Sequence, residues 1–150
     1  MKTCFCRFKL PIMKFTRKAS AHWAGSGKEG KGSISTESTV LDKAQYAFGT
    51  RFEDGVGTNP EELIGAAHSG CYTMQLSFLL NEEDFVADSL DTDAHVTFED
   101  GEITTIKLVT KGKVPNISKE KFEEIAQKAK EVCPLSKLMK AEITLDATLL

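Results

Sequence analysis

Between Leu63 and Leu80 apolar and small residues cover nearly the whole circumference of a helix, a pattern that no other stretch of the chain shows. The start of this helix is marked by Thr58-Asn59-Pro60-Glu61-Glu62. Asn59 predicts the N-cap, Pro60 suits the first helical position, and Glu62 at N3 predicts a capping box and complements the helix dipole. In its middle, Ala66, Ala67, Ser69, Gly70 and Cys71 form a run of small side chains that permits close approach of another backbone. The expectation is a helix buried on most sides, with Cys71 deep in the structure.

The remaining segments read differently. Residues 18–24 and 31–38 are short stretches that can pair as strands around the Gly-rich link 25–32. Ala94, Val96 and Phe98 alternate before Glu99-Asp100-Gly101-Glu102, and Ile106 and Leu108 after it, so the Asp-Gly pair predicts a hairpin. Ser118 predicts the cap of a second helix whose Phe122, Ile125, Ala126, Ala129 and Val132 make one apolar stripe. Pro134 ends it and opens a short helical turn over Leu135 to Lys140, which places Cys133 at an N-cap. Ile143, Leu145, Ala147 and Leu149 alternate as a closing strand. Strands, long helix, hairpin, helix and strand in that order predict an α+β fold with a largely antiparallel sheet.

Composition narrows the class. The 150 residues are 41% hydrophobic and 27% charged, which suits one globular domain and excludes low-complexity and collagen-like chains. No apolar run reaches the ~18 residues of a membrane span. The net charge of −3 gives no reason to expect a nucleic-acid or anionic-membrane partner. That average hides an asymmetry, because residues 1–28 carry seven basic residues and no acid. Their apolar stretch is broken by Arg7, Lys9 and Pro11 and lacks a small-residue cleavage site, so a secretory signal is not expected. Residues 1–12 read as a dispensable disordered extension or an upstream start, and residues 13–150 as a single domain.

Gly25, Gly30 and Lys31 imitate a phosphate loop, but Gly32 stands where Ser or Thr is needed, and a flexible turn explains the same glycines. Cys4 and Cys6 have no partner pair at metal-ligand spacing, so a zinc site is not expected, and neither is a cofactor. Cys71 and Cys133 lie 62 residues apart in the body of the chain. An acidic chain without a secretion signal is expected in a reducing, cytoplasmic compartment, where disulfides are usually transient and catalytic. A structural disulfide is the plain alternative.

A reactive thiol works as thiolate, and burial alone opposes that, so Cys71 needs a cation. Arg51 is the one arginine beyond residue 17 and precedes the long helix by a short loop, which makes it the natural thiolate stabiliser. His68, three residues before Cys71, is the competing activator of a Cys/His pair, although nothing supplies an orienting third group. His22 and His95 fall in strand-like segments and read as structural.

The run from Gly57 to Cys71 (Gly-Thr-Asn-Pro-Glu-Glu-Leu-Ile-Gly-Ala-Ala-His-Ser-Gly-Cys) closely resembles the signature of the osmotically inducible protein C family, known with its organic-hydroperoxide-resistance relatives as OsmC/Ohr. The likeness extends to Ala21-His22-Trp23, Thr50-Arg51-Phe52, Cys133-Pro134 and Ala141 to Asp146, covering residues 18–150, and its Ile-Gly-Ala-Ala-His wording is nearer the OsmC branch. The resemblance implies a stress-response peroxidase that reduces organic hydroperoxides, with Cys71 as peroxidatic and Cys133 as resolving cysteine. Arg51 and Glu61 would be the family's catalytic arginine and glutamate, with Glu61 holding the guanidinium bidentately. It also implies an external dithiol reductant, of lipoyl type, and an intertwined homodimer.

Helical geometry bears on that assembly. Ten residues separate Glu61 from Cys71, ~15 Å along one straight helix, too far for both to serve one arginine at one sulfur. Either the helix breaks near Gly65 or Gly70, or a second subunit completes the site, and an obligate homodimer is expected. Leu63, Ile64, Met74, Phe78, Phe48, Phe52 and Tyr72 are available to line an apolar pocket favouring alkyl or aryl hydroperoxides. A Cys/His hydrolase using His68 and a non-catalytic dimeric binding module are the competing readings.

Overall fold

The computed structural model describes residues 14–150. The expectations for residues 1–12, and for Cys4 and Cys6, lie outside them. Strands β1 (Ala19–Ala24), β2 (Lys31–Thr36) and β3 (Ala44–Ala47) form a three-stranded antiparallel sheet in that order. A short helix α1 (Phe48–Phe52) leads to the long helix α2 (Pro60–Glu82). Strands β4 (Ser89–Glu99) and β5 (Glu102–Lys113), helices α3 (Lys119–Val132) and α4 (Pro134–Leu138), and strand β6 (Glu142–Leu149) complete the chain.

Local signals act where expected. The Asn59 side chain accepts a hydrogen bond from the Glu62 amide at 2.8 Å and caps α2. Glu62 does not close a capping box, because its carboxylate instead accepts from the Thr58 hydroxyl at 2.6 Å and from Asn59 Nδ2 at 3.4 Å. Ser118 accepts from the Lys121 amide at 3.1 Å and caps α3. Asp100 and Gly101, at φ of 49° and 88°, turn the β4–β5 hairpin with both central residues left-handed, as its tight two-residue connection demands.

The second sheet runs β4-β5-β6. Its β4–β5 pair is antiparallel, but β6 returns parallel to β5, because α3 and α4 form a crossover connection between them. A largely antiparallel architecture therefore holds with one parallel pair added. Helices α2 and α3 cover one face of this sheet, and the core lies between: Tyr72, Leu76 and Leu80 from α2, Ile106 and Leu108 from β5, Phe122, Ile125, Ala126 and Ala129 from α3. Gly112 gives the Phe122 ring its seat, since a Cβ there would lie 2.5 Å from Phe122 Cζ. Tyr72 is fully buried and donates to the Ala126 carbonyl at 3.3 Å, and burial holds its phenol protonated far above the ordinary range.

Helix α2 departs from expectation in its exposure. Gly65, His68, Tyr72, Leu76 and Leu79 form its buried stripe, while Ala67, Gly70, Met74 and Phe78, at helical spacing on the other side, remain exposed in the protomer. Met74 is 63% and Phe78 50% exposed. No helix among the described residues is long and apolar enough to cross a membrane.

Candidate active site

Two of the expected site residues meet directly. Cys71, in the middle of α2, and Cys133, at the junction of α3 and α4, are free cysteines whose sulfurs stand 3.5 Å apart. Pro134 sets this junction: it cannot continue α3, so the chain turns at Cys133 and restarts as α4. Cys133 is the N-cap residue of α4, but its side chain caps nothing and points to Cys71 instead. Cys133 is fully buried, whereas Cys71 is only partly so, shallower than its sequence context suggests.

Burial pushes the Cys71 thiol above its ordinary value, a hydrogen bond from the Leu135 backbone amide pulls it back, and contact with Cys133 raises it again. Among the described residues, no basic side chain is among the groups acting on this sulfur. Arg51 lies elsewhere. At the end of α1 it donates from Nε and Nη2 to a single oxygen, Glu61 Oε1, at 2.8 and 2.6 Å. The expected pairing of one nitrogen to each oxygen is thus not formed, and Glu61 Oε2 is left buried with no hydrogen-bond partner.

The Arg51–Glu61 pair is held by local structure. Thr50, the buried residue of α1, exchanges two hydrogen bonds with the Ala47 backbone, and its carbonyl accepts from Asn59 Nδ2 at 3.2 Å. The same asparagine that caps α2 therefore fixes α1 to it. The guanidinium lies 5.1 Å from the Phe52 ring centroid and 5.2 Å from that of Phe98. Phe48 packs on Phe52, giving an aromatic cluster around the charge. Phe98 was not foreseen beside Arg51, since nothing in its strand-end sequence marks that contact. Of the other apolar candidates, Tyr72 belongs to the core and Ile64 packs against it, while Met74 and Phe78 face outward.

Helix α2 runs unbroken from Pro60 to Glu82, through Gly65 and Gly70. The first of the two geometric alternatives, a break in the helix, is excluded. His68 does not serve the thiol as its activating base either: its Nε2 is bonded to Ser136 Oγ at 2.8 Å, the ring is fully buried, and burial lowers its basicity.

An α+β scaffold that sets two free cysteines sulfur to sulfur, with a pre-paired arginine and glutamate at the head of the same helix, defines a thiol-redox class of protein. The family model described as OsmC-like protein matches residues 52–148. The chain belongs to the OsmC-like family. It is 50% identical over 138 residues to Peroxiredoxin OsmC of Escherichia coli (strain K12), covering 89% of this chain and 96% of the relative. It is 27% identical over 134 residues to the organic hydroperoxide resistance protein OhrB of Bacillus subtilis (strain 168), covering 86% and 93%. The OhrB crystal structure superposes with a TM-score of 0.66 at 26% identity, covering 91% of this chain and 98% of that one. An OsmC-like protein from Mycoplasma pneumoniae shares the fold at a TM-score of 0.71 and 12% identity, covering 92% and 99%. Kinship with a peroxiredoxin at this level makes the chain a cysteine-based peroxidase.

Proposed function

We propose that this peroxidase reduces organic hydroperoxides to alcohols through a Cys71–Cys133 disulfide that an external dithiol, such as a lipoyl group, resets in the cytoplasm. The observation that carries the reading is the 3.5 Å approach of the two free sulfurs. The Cys71 thiolate attacks the terminal peroxide oxygen; the O–O bond breaks, the leaving alkoxide takes a proton to become the alcohol, and Cys71 is left as a sulfenic acid. Cys133 then displaces the sulfenic hydroxyl as water and forms the disulfide before further oxidation. The dithiol restores both thiols and leaves as its own disulfide.

Arg51 and Glu61 act on this chemistry from a second copy of the chain. Three observations support that assembly. Helix α2 is unbroken, so Glu61 and Cys71 of one protomer lie ~15 Å apart along its axis. Among the described residues of its own protomer, no cation acts on Cys71. The apolar stripe of Ala67, Gly70, Met74 and Phe78 is uncovered. In a homodimer closed over this stripe, the partner's guanidinium lowers the Cys71 pKa and stabilises charge developing on the peroxide oxygens. The free Glu61 Oε2 is an acceptor suited to the hydroperoxide O–H. Phe48, Phe52 and Phe98 supply the apolar surface for an alkyl or aryl group.

The test is consumption of cumene hydroperoxide with a dithiol reductant, comparing wild type with Cys71→Ser and Cys133→Ser. Turnover abolished by the first and stalled in dithiol cycling by the second supports the two-cysteine route. A folded wild type that consumes no hydroperoxide overturns it.

A further inference from the structure

The reaction as proposed leaves one buried polar contact unused. His68 and Cys71 lie three residues apart on α2, so their side chains project from adjacent turns toward the same neighbour. That neighbour is the first turn of α4. There, Ser136 Oγ is 2.8 Å from His68 Nε2, the Leu135 amide donates to the Cys71 sulfur, and the Cys133 sulfur lies 3.5 Å from that of Cys71. Helix α4 has only five residues, contains no buried residue, and its N-cap side chain makes no capping hydrogen bond. So short a helix has little stability of its own and depends on what clamps it. His68 is fully buried, its Nδ1 is unpartnered, and its bond to Ser136 joins α2 to α4 across 68 residues of chain.

We propose that His68 is a positioning residue for disulfide formation: through Ser136 it holds the start of α4 against α2 and keeps Cys133 within reach of an oxidised Cys71. The inference rests on the two-cysteine reading of the site. In the step it governs, the Cys133 sulfur forms a bond to the sulfenic sulfur of Cys71, the S–O bond breaks, and the hydroxyl leaves with the Cys133 proton as water. When α4 drifts, this step slows while peroxide attack on Cys71 does not, and the waiting sulfenic acid is exposed to a second peroxide and conversion to sulfinic acid.

The test separates the two steps in the full chain. Reduced wild type, Ser136→Ala, His68→Phe and His68→Gln are each mixed with cumene hydroperoxide. Loss of the Cys71 thiol, appearance of the disulfide, and Cys71 sulfinic acid are followed by quenching and mass spectrometry. Ser136→Ala and His68→Phe are expected to lose the thiol at the wild-type rate, form the disulfide about fivefold more slowly, as for loss of one hydrogen bond, and accumulate sulfinic acid. His68→Gln, whose amide can reach Ser136, is expected to restore the wild-type ratio of the two rates, which a merely destabilised fold would not. Disulfide formation at the wild-type rate in Ser136→Ala overturns the proposal, and that variant, missing one hydroxyl, covers the case in which His68→Phe fails to fold. Diamide oxidation of the same proteins keeps this failure distinct from that of the peroxidase reading. It closes the disulfide without peroxide, so the defect in Ser136→Ala is expected there as well.

Discussion

Cys71 and Cys133, 62 residues apart in the chain, face each other with their sulfurs at 3.5 Å because Pro134 forces the chain to turn where α3 meets the middle of α2. The contact places a second thiol where a sulfenic acid would form. Removing each sulfur therefore has a different consequence. Cys71→Ser is expected to abolish hydroperoxide consumption. Cys133→Ser is expected to consume about one equivalent and then accumulate Cys71 sulfinic acid, because no neighbouring thiol intercepts the intermediate. Peroxide titration with mass analysis of Cys71 checks both.

Among the described residues no cation acts on the Cys71 thiol, whose pKa burial raises and the Leu135 amide lowers. Arg51→Ala is expected to lower kcat/KM for cumene hydroperoxide about 10²–10³-fold, the range for removing a preorganised charge donor. Thiolate forms as pH rises through the thiol pKa, so losing the guanidinium moves the rising limb of the pH–rate profile to higher pH. Arg51→Lys should recover only part of the rate, since an ammonium cannot place two donors on Glu61 Oε1 while stacking between Phe52 and Phe98. An unshifted profile in Arg51→Ala would separate Arg51 from Cys71.

What could be read from the chain before folding is local. Asn59 and Ser118 as caps, Asp100-Gly101 as a turn and Pro134 as a helix restart act through neighbours within four residues, and all four stand in the structure. Strand β3 and helix α1, four and five residues long, are too short for a period to show, and Gly49 weakens any helical signal in α1. The parallel run of β6 beside β5 is decided by how α3 and α4 cross the sheet, not by any residue of β6. At the site, the residue types and the two cysteines were legible, the latter through the family resemblance. Contacts such as Phe98 with Arg51 or Ser136 with His68 join distant segments and carry no sequence period. The exposed side of α2 corrects the expectation of burial on most sides for the protomer, while the apolar character that prompted it is real.

Buried His68 makes stability depend on pH. Burial lowers its pKa below 6.5 in the folded chain, so between 6.5 and that lower value the unfolded chain binds more protons than the native one. Stability from this group is complete above pH 6.5 and is lost as pH falls through the folded value. Melting temperature measured downward from pH 7 should decline more steeply in wild type than in His68→Gln, which has no titrating ring. Parallel curves for the two would assign the decline to other groups.

Packing at Gly112 gives a test of the core that is independent of the chemistry. A Cβ at this position would lie 2.5–2.6 Å from two atoms of the Phe122 ring, and Leu90 Cδ2 closes the other side at 3.1 Å. Gly112→Ala is expected to destabilise the fold by about 1–3 kcal/mol in chemical denaturation, the usual cost of overpacking. Adding Phe122→Leu should lose less than the sum of the two single changes, because the smaller side chain vacates the contested space. Strict additivity would show that the ring does not respond to residue 112.

The strongest test of shared sites uses two inactive proteins. If Arg51 of one protomer serves Cys71 of its partner, a heterodimer of Arg51→Ala and Cys71→Ser has one site with both groups intact and one with neither. If each site is built within a protomer, the same heterodimer has none. Co-expression with two affinity tags forms the mixed dimers, and an unbiased mixture of a symmetric dimer holds roughly a quarter of the wild-type number of complete sites. Cumene hydroperoxide turnover near that fraction, from parents that are each nearly inactive, is the expected outcome. Activity no greater than the mean of the parents, in a sample whose mixed dimers are verified by tandem purification, would return Arg51 and Cys71 to the same protomer. Reconciling that result with an unbroken α2 from Pro60 to Glu82 would then require a large movement of α1 and its Arg51 along the helix.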